Sequence, residues 1–321
     1  MADASFIAGD WGTSHLRLFL CDSDGRILER ADAAGAAAAA GRFAAIFDGL
    51  VAPWQQQHGP LPAVLCGMVG SSIGWMQAPY VPCPAIPQQI AAGCISLRHG
   101  GVHIVPGVSC RNRLDAPEFM RGEETQILGA LNIDPTLGRG HRLLCLPGTH
   151  TKWVALQDGA IFEFLTAPTG EVFALLRDHS VLLRQHADLA PAAAEVDIGA
   201  VAFAQALARC KQFPQAQLLN RLFECRGRRL SGELAPQAAA AYLSGLLIAS
   251  DIDGALRLLP QAGDAPSVHL IGDSQLTQLY AQGLAAQQHT VSTLEGSAAS
   301  LAGLAQVYRQ LKQRRVVHAV H

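Results

Sequence analysis

Two Gly-Thr turns in the sequence are suited to binding an anion. The first, Gly12-Thr13-Ser14, follows an apolar run that starts at Phe6, and the second begins at Gly148-Thr149 after a similar run. A tight turn of glycine and hydroxyl residues leaves backbone N–H groups free and lets an anion approach closely. Two facing turns of this kind would hold a polyphosphate from both sides. The pair therefore predicts a nucleotide in a cleft between two halves of the chain.

The two turns carry different side chains. Asp10 precedes the first turn at the end of a predicted strand, where a carboxylate is placed to hold Mg²⁺ through waters and to link the metal to nucleotide phosphates. Asp also commonly caps its own turn, and the residue type alone leaves both interpretations open. Pro147, and no acidic residue, stands before the second turn, which instead offers backbone amides, the hydroxyls of Thr149 and Thr151 and the ammonium group of Lys152.

Two further candidates carry weaker signals. His150, inside the second turn, is interpreted as a surface histidine in preference to a catalytic one. The triplet Gly272-Asp273-Ser274 ends a predicted strand and opens a predicted helix, whose N-terminal amides suit a ribose or a phosphate. A single glycine at such a position is common, and the triplet gains weight only because it follows the second turn in the sequence.

Each turn lies in the same local pattern of strand, Gly-Thr turn, strand, Asp-Gly turn and strand. Leucines alternate along the first copy from residue 16 to residue 20, and the Asp-Gly pair in each copy is typical of a hairpin. Because the copies lie in different halves of a chain long enough for two domains, we predict domains at residues 1–137 and 138–321. The alternative that the last predicted helix, residues 298–312, returns to the first domain is left open.

Other segments give a coarse prediction of the elements. From residue 170 onward the pattern is mainly helical, and a further helix is predicted to start at about Gly122. The segment 78–90 contains four prolines, and we expect it to be extended rather than helical.

The composition is that of a soluble globular enzyme. Of the 321 residues, 50% are hydrophobic and 16% are charged, and the formal net charge is −2. These values disfavour an intrinsically disordered chain and give no overall attraction to nucleic acid or to a membrane surface. The eight cysteines are scattered without a C-x-x-C pair, which disfavours metal clusters and disulfide scaffolds. With neither a signal-like N-terminus nor an uninterrupted stretch of transmembrane length, a cytoplasmic protein is expected.

The motifs resemble those of a known superfamily. The ordered segments that begin at Asp10, Pro147 and Ile271 are similar to those of the actin, hexokinase and heat-shock ATPase group. In that group, two related domains each offer a phosphate hairpin and the second adds an adenosine turn. The resemblance therefore implies an α/β fold of two ribonuclease-H-like, actin-like ATPase domains with an interdomain cleft.

Within this group, the chain is similar to the 2-dehydro-3-deoxygalactonokinase family in the stretches 67–75, 120–129 and 146–154. This resemblance implies a kinase that uses ATP and Mg²⁺ to phosphorylate the C6 hydroxyl of 2-dehydro-3-deoxy-D-galactonate in galactonate breakdown. The implied partners are the sugar acid and ATP, and a homodimer is expected only as the commonest oligomer. The alternatives are a kinase or phosphatase acting on another carbohydrate, and a sugar-sensing regulator of the same fold.

Phosphoryl transfer to a hydroxyl needs a carboxylate that orients the hydroxyl and accepts its proton. Glu123 and Glu124 follow Arg121-Gly122 at the start of a predicted helix. Acidic residues in a first helical turn also simply complement the helix dipole, which is the favoured interpretation of these residues taken alone. The resemblance reverses that preference, because related sugar kinases place an Asp, and polyphosphate-cleaving relatives a Glu, in a similar context. We expect Glu123 rather than Glu124 to be the base.

A keto acid substrate has a carboxylate that needs hydrogen-bond donors, ideally a guanidinium fork. Arg121 is the first candidate and Arg17 the second, although a single arginine is more often a solvated surface residue. The Gly70-Ser71-Ser72 loop resembles the sugar-contacting loop of related carbohydrate kinases. Trp75 and Tyr80 are candidates for one wall of this site, and simple packing is the alternative for both rings.

Overall fold

A computed structural model describes residues 3–39, 41–97, 101–183, 198–259 and 267–319. By its contacts the chain divides into two compact units. The first unit consists of Met1–His141, Val154–Phe164 and Leu294–His321, and the second of Arg142–Trp153 and Leu165–Thr293. The last helix therefore falls in the first unit. The predicted boundary at residues 137 and 138 lies close to His141, but the domain division and the interdomain cleft stay predictions.

The described residues form a mixed set of strands and helices. The strands are β1 (Phe6–Trp11), β2 (His15–Cys21), β3 (Ile27–Ala34), β4 (Ala63–Gly67), β5 (Tyr80–Pro82), β6 (Ile95–Leu97), β7 (Val102–Ile104), β8 (Gly107–Arg111), β9 (Pro117–Met120), β10 (His141–Leu146), β11 (Thr151–Gln157), β12 (Ala160–Ala167), β13 (Ser267–Gly272) and β14 (Thr290–Glu295). The helices are α1 (Ala36–Ala39), α2 (Phe43–His58), α3 (Pro87–Ala92), α4 (Glu123–Ile133), α5 (Thr169–His179), α6 (Ile198–Gln212), α7 (Leu218–Leu222), α8 (Glu224–Leu230), α9 (Ala239–Leu258), α10 (Ser274–Ala286) and α11 (Gly296–Ala319). The predicted α/β class is confirmed.

Both predicted hairpin units are present in the described sheets. One sheet has the strand order β3-β2-β1-β4-β7-β6, and another has the order β12-β11-β10-β13-β14. In the first sheet β1 is antiparallel to β2 and parallel to β4, so that Asp10 lies opposite Arg17 on one side and Cys66 on the other. The first Gly-Thr turn joins β1 to β2, and the second joins β10 to β11.

The core of the first unit explains why β2 forms as it does. Leu16, Leu18 and Leu20 are at most 1% exposed, as their alternation predicts. Phe19 and Cys21 point the other way and are also buried, because the sheet is covered on both faces. On the β1 strand, Phe6 stacks on Tyr308 of α11 with ring centroids 4.2 Å apart.

A small sheet of order β5-β8-β9 leads into α4. The chain turns between β9 and α4 at Gly122, whose φ of 110° favours glycine. Helix α4 then packs closely on α11. The packing is so close that Cβ atoms added at Gly129 and Gly303 would collide with the carbonyl oxygens of Ala299 and Thr125. This close packing fixes the start of α4, where the two candidate glutamates stand.

Helix α9 lies at the centre of the second unit. Its buried residues belong to two apolar clusters, one with Trp153 and Phe203 and the other with Cys225 and Leu234. By length and composition alone, the helix Pro236–Leu258 could cross a membrane, although no stretch of that kind was predicted from the sequence. In its most apolar window, 56% is buried inside the protein. Burial of that kind is typical of a core helix.

The proline-rich segment differs from its prediction at one end. Strand β5 is extended, but α3 begins at Pro87, so the expectation of an entirely non-helical segment is wrong there. Proline is well suited to a first helical position, because its missing N–H would have no partner in the helix at that point.

Candidate active site

The backbone of the first Gly-Thr turn is hydrogen-bonded to Gly35 and to Ala36, the first residue of α1. The N–H of Gly35 donates to the carbonyl of Ser14 at 3.0 Å, and the N–H of Ala36 donates to the carbonyl of Gly12 at 2.9 Å. A Cβ atom at Gly35 would lie 2.5 Å from backbone atoms of this turn, so only glycine fits. Thr13 and Ser14 are exposed. The turn therefore has a fixed backbone and an open outer face.

Asp10 is a mostly buried carboxylate whose hydrogen bonds are long. Its Oδ2 accepts from Ser300 Oγ at 3.5 Å and its Oδ1 from Cys66 Sγ at 3.9 Å, and among the described residues no amide of the turn donates to it. Burial raises the pKa of Asp10, and the nearby charge of Arg17 partly opposes the rise. This geometry does not support the interpretation of Asp10 as a cap of its own turn.

The two candidate glutamates have different environments. Glu124 is 0% exposed, and its carboxylate accepts from the N–H of Gly122 at 2.7 Å and from Thr125 Oγ1 at 2.9 Å. Burial, together with the charge of Glu123, raises the pKa of Glu124 to about 8. Glu123 is partly exposed, and its carboxylate accepts from the N–H of Arg121 at 3.0 Å.

The end of β4 lies close to Asp10 and to the start of α4 within the first unit. Gly67 has a φ of 88°, and a Cβ atom there would lie 2.8 Å from the carbonyl of Trp11 and 3.6 Å from Oδ1 of Asp10. A Cβ atom at Gly122 would in turn lie 3.5 Å from the Cα of Gly67. Asp10, Gly67 and the start of α4 are therefore neighbours, and their roles stay predictions.

Arg121 has unused donors in the interior of this region. Its Nη2 donates to the carbonyl of Ala78 at 2.7 Å, and its guanidinium lies over the ring of Tyr80 at 4.4 Å. Its Nε and Nη1 are buried without a hydrogen-bond partner among the described residues. A Cβ atom at Gly70 would be 2.8 Å from Nη1, so the lack of a side chain at this glycine lets the guanidinium pack against the loop. Buried donors of this kind are rare and call for a partner.

Arg17, the second candidate for the substrate carboxylate, lies among acids instead. It stands opposite Asp10 and Asp32 in the sheet register, and its charge lowers the pKa of Asp32 after the larger effects of Arg30. The structure places it where it balances carboxylates of the protein itself.

The remaining residues of the predicted sugar loop divide into packed and exposed ones. The hydroxyl of Ser71 is buried and donates to the carbonyl of Met68 at 2.8 Å, whereas Ser72 is exposed. Trp75 packs against Trp11 and Phe47, with ring centroids 6.4 and 5.6 Å away, which favours the packing interpretation. Tyr80 packs edge-on against Phe119 at 5.0 Å.

The side chains of the second turn have partners within the second unit. His150 and Glu171 are both half-exposed and form a pair at 2.7 Å, as a surface histidine would. Thr151 and Lys152 are buried, where Thr151 Oγ1 lies 2.9 Å from the hydroxyl of Tyr280 and Lys152 Nζ donates to Thr166 at 2.7 Å. Contacts of these side chains with phosphates stay predictions.

The backbone of the second turn is open on one side and supported on the other. A Cβ atom at Gly148 would have no neighbour within 4 Å, and Thr149 is exposed. On the supported side, the N–H of Glu171 donates to the carbonyl of Thr149 at 3.0 Å, and Gly170 approaches the carbonyl of Gly148 so closely that a Cβ atom would lie 2.5 Å from it. The start of α5 therefore rests directly on the turn.

A cavity of about 630 Å³ opens beside this turn within the second unit. Its walls are mainly apolar and come from the turn and from α5, α6, α9 and α10, including Gly148, Thr169, Phe173, Phe203, Ser244 and Leu276. A mostly apolar cleft with a few polar groups is typical of a small-molecule site. The two phenylalanines of this lining were not predicted from the sequence, in which their signal is an aromatic residue on each of two helical segments after the second turn.

The predicted triplet at the start of α10 lies just before the cavity lining. The carboxylate of Asp273 caps the helix by accepting from the N–H groups of Gln275 at 3.0 Å and Leu276 at 3.2 Å. Asp273 and Ser274 are exposed, and Gly272 lies near Pro147, since a Cβ atom there would be 3.5 Å from the proline carbonyl. A role of Gly272 and Ser274 in nucleotide binding stays a prediction.

Comparison with known proteins agrees with the resemblance. A curated 2-dehydro-3-deoxygalactonokinase from Escherichia coli is 32% identical over 318 residues, which cover 99% of each chain. A relative from Rhizobium meliloti, assigned the same name, is 38% identical and covers 95% of this chain and 97% of its own. The crystal structure of a protein assigned as this kinase from Sinorhizobium meliloti superposes with a TM-score of 0.83 at 36% identity, over 95% of this chain and 99% of the other. Because the sequence model of the family also matches residues 10–307, this chain belongs to the 2-keto-3-deoxy-galactonokinase family.

Proposed function

We propose that this chain transfers the terminal phosphoryl group of ATP to the C6 hydroxyl of 2-dehydro-3-deoxy-D-galactonate. The products are ADP and 2-dehydro-3-deoxy-6-phospho-D-galactonate. Family membership and the names of the relatives support a kinase of this substrate class. The observation that carries the assignment to a site is the buried, partly unpaired guanidinium of Arg121 beside the two glutamates of α4.

Arg121 is proposed to bind the carboxylate of the sugar acid. Its Nε and Nη1 have no partner among the described residues, and a carboxylate would accept from them with charge-assisted hydrogen bonds. A side chain at position 70 would collide with Nη1, so Gly70 is needed for the guanidinium to lie where it does. The ring of Tyr80 packs against the guanidinium at 4.4 Å and helps to hold it in place.

Glu123 is proposed to be the base. It is partly exposed, whereas Glu124 is fully buried and already accepts two hydrogen bonds. In the reaction, the carboxylate of Glu123 takes the proton of the C6 hydroxyl while that oxygen bonds to the γ-phosphorus. The bond between this phosphorus and the oxygen bridging to the β-phosphorus breaks, and ADP leaves with the bond's electron pair.

Asp10 is proposed to hold Mg²⁺. A buried carboxylate with long hydrogen bonds and a raised pKa is poorly satisfied by the protein alone, and a divalent cation would offset its desolvation. No group of three or more metal-ligating side chains was found among the described residues, so waters and phosphates would complete the coordination. When bound, Mg²⁺ neutralises phosphate charge during transfer.

The second unit is proposed to bind phosphate oxygens and the adenosine group of ATP. The open backbone of Gly148 and Thr149 suits phosphate oxygens, and the adjoining cavity has the volume and apolar walls that suit an adenosine group. A homodimer stays a prediction.

The test is an assay of ADP release with ATP, Mg²⁺ and a panel of keto-deoxy sugar acids. We expect ADP equimolar with consumed 2-dehydro-3-deoxy-D-galactonate. Arg121→Met should raise the KM for the sugar acid roughly 10–100-fold, because it removes charge-assisted hydrogen bonds to the carboxylate, and it should leave the KM for ATP nearly unchanged. Absence of turnover with every acid of the panel would contradict the proposed function.

A further inference from the structure

Asp251 of α9 receives hydrogen bonds from three side chains of the second unit. Its Oδ1 accepts from Trp153 Nε1 at 2.8 Å. Its Oδ2 accepts from Thr169 Oγ1 at 2.7 Å and from the hydroxyl of Tyr280 at 2.5 Å. Burial raises the pKa of Asp251, and these three hydrogen bonds, together with the hydroxyl of Thr151, oppose the rise. The carboxylate is therefore the common acceptor of donors from β11, α5 and α10.

One branch of this network reaches the residue that follows the second turn. Since Tyr280 gives its proton to Asp251, its oxygen is the acceptor for Thr151 Oγ1, which lies 2.9 Å away. Thr151 is the first residue of β11 and directly follows the turn. The chain of donors runs in one direction, from Thr151 through Tyr280 to Asp251.

The other branch reaches the turn through α5. Thr169 is the first residue of this helix and is bonded to Asp251. The two residues that follow it contact the turn itself, where Gly170 lies against the carbonyl of Gly148 and the N–H of Glu171 donates to Thr149. Asp251 thus ties together both elements that support the turn.

We propose that Asp251 is a positioning residue for ATP, which fixes the backbone of Gly148 and Thr149 through Thr151 on one side and Thr169 on the other. It acts through these residues and does not touch the nucleotide. The proposal rests on the proposed function only in taking this turn and the adjoining cavity as the ATP site. Because each donor of this network has a fixed partner, the network is rigid and keeps the turn in place. A displaced turn would bind the phosphates more weakly.

The test compares two substitutions two residues apart on α9. Asp251→Asn keeps the size of the side chain, but its amide nitrogen cannot accept a hydrogen bond. One of the two acceptor atoms of the network is therefore lost. We expect the KM for ATP to rise about tenfold or more, the affinity for ATP alone, measured by calorimetry, to fall by a similar factor, and the KM for the sugar acid to stay nearly unchanged. Asp253→Asn is the matched control, because its carboxylate accepts from Gln287 at 2.7 Å and has no link to the turn.

Two further variants keep the test decisive if Asp251→Asn does not fold. Tyr280→Phe removes the hydroxyl that links Thr151 to Asp251. Thr169→Val removes the hydrogen bond between the start of α5 and Asp251. Each should weaken ATP affinity less than Asp251→Asn and in the same direction. Folded variants with unchanged ATP affinity, or with both KM values raised alike, would overturn the proposal. Because calorimetry needs no sugar acid, a wild-type protein that binds ATP without phosphorylating the acid would refute the proposed function and still decide the role of Asp251.

Discussion

The two Gly-Thr turns share a sequence pattern but differ in how their polar groups are satisfied. At the first turn, Thr13 and Ser14 are exposed and the neighbouring carboxylate of Asp10 has only long hydrogen bonds. At the second turn, Thr151 belongs to a hydrogen-bonded network with short distances that ends on Asp251. The backbone of each turn is fixed by neighbouring hydrogen bonds. The first turn lies beside a carboxylate whose charge an added cation would offset, whereas the second adjoins a carboxylate that already accepts short hydrogen bonds. From this difference we propose that residues of the first unit carry out the chemistry and that residues of the second position the nucleotide.

The largest effect is expected from Glu123→Gln. If Glu123 is the base, its loss should lower kcat roughly 10²–10⁴-fold while ATP binding stays unchanged, because the residue belongs to the chemistry and not to the nucleotide site. Steady-state kinetics and ATP calorimetry measure the two properties separately. Glu124→Gln serves as the matched control in the next position, and a larger loss of kcat in that variant would show that Glu124 is the base.

A smaller but still large effect is expected from Asp10→Asn. An amide holds Mg²⁺ more weakly than a carboxylate, so the variant should need more Mg²⁺ for half-maximal turnover and lose roughly 10²-fold in kcat at low Mg²⁺. Titration of activity with MgCl₂ checks this. Asp32→Asn is the control, because Asp32 is a nearby carboxylate paired with Arg30 at 2.7 Å. An unchanged Mg²⁺ requirement in Asp10→Asn would remove the proposed distinction between the two turns.

A third prediction concerns stability and the buried carboxyl of Glu124. Its pKa rises from the usual 4.5 to about 8 in the folded protein, so between these values the folded state holds a proton that the unfolded state releases. The free energy of unfolding should therefore fall as the pH rises through this window, by up to a few kcal/mol. Glu124→Gln carries no titrating group and should flatten the fall, as measured by urea unfolding at a series of pH values.

The matched control for this stability measurement is Glu123→Gln. Glu123 is partly exposed, and its charge is one cause of the raised pKa of Glu124. This variant should retain most of the pH dependence and shift its upper end slightly downward. A Glu124→Gln protein whose unfolding free energy varies with pH as in the wild type would show that Glu124 does not titrate in this window.

The sequence allowed prediction of features that depend on local chemistry. Glycine, Asp-Gly pairs and alternating leucines specify the hairpins because backbone conformation and strand periodicity act over a few residues. The same local reasoning was wrong at Pro87, which starts α3, because proline is disfavoured in a helix interior but is well suited to its first turn.

The environment of the candidate site could not be predicted in the same way. Glu123 and Glu124 were both candidates for the base, with Glu123 preferred, but the sequence could not show that Glu124 is fully buried beside the tightly packed pair of α4 and α11, two helices that are far apart in the sequence. Asp251 gave only the weak signal of an acid in an apolar helix, because two of its partners, Trp153 and Thr169, are 98 and 82 residues away. Contacts of that range follow from tertiary packing.

The smallest effect is expected from His150→Ala, and it tests whether the second turn acts through its backbone. The pair of His150 and Glu171 is half-exposed, and an exposed pair contributes at most about 1 kcal/mol, which corresponds to less than about a tenfold change. We therefore expect kcat/KM for ATP to change by less than this factor, and Glu171→Gln should give a similarly small effect. A loss of about 10²-fold in His150→Ala, with Glu171→Gln unaffected, would mean that the imidazole contacts the phosphates. The second turn would then take part in the chemistry, and the contrast between the two turns would be wrong.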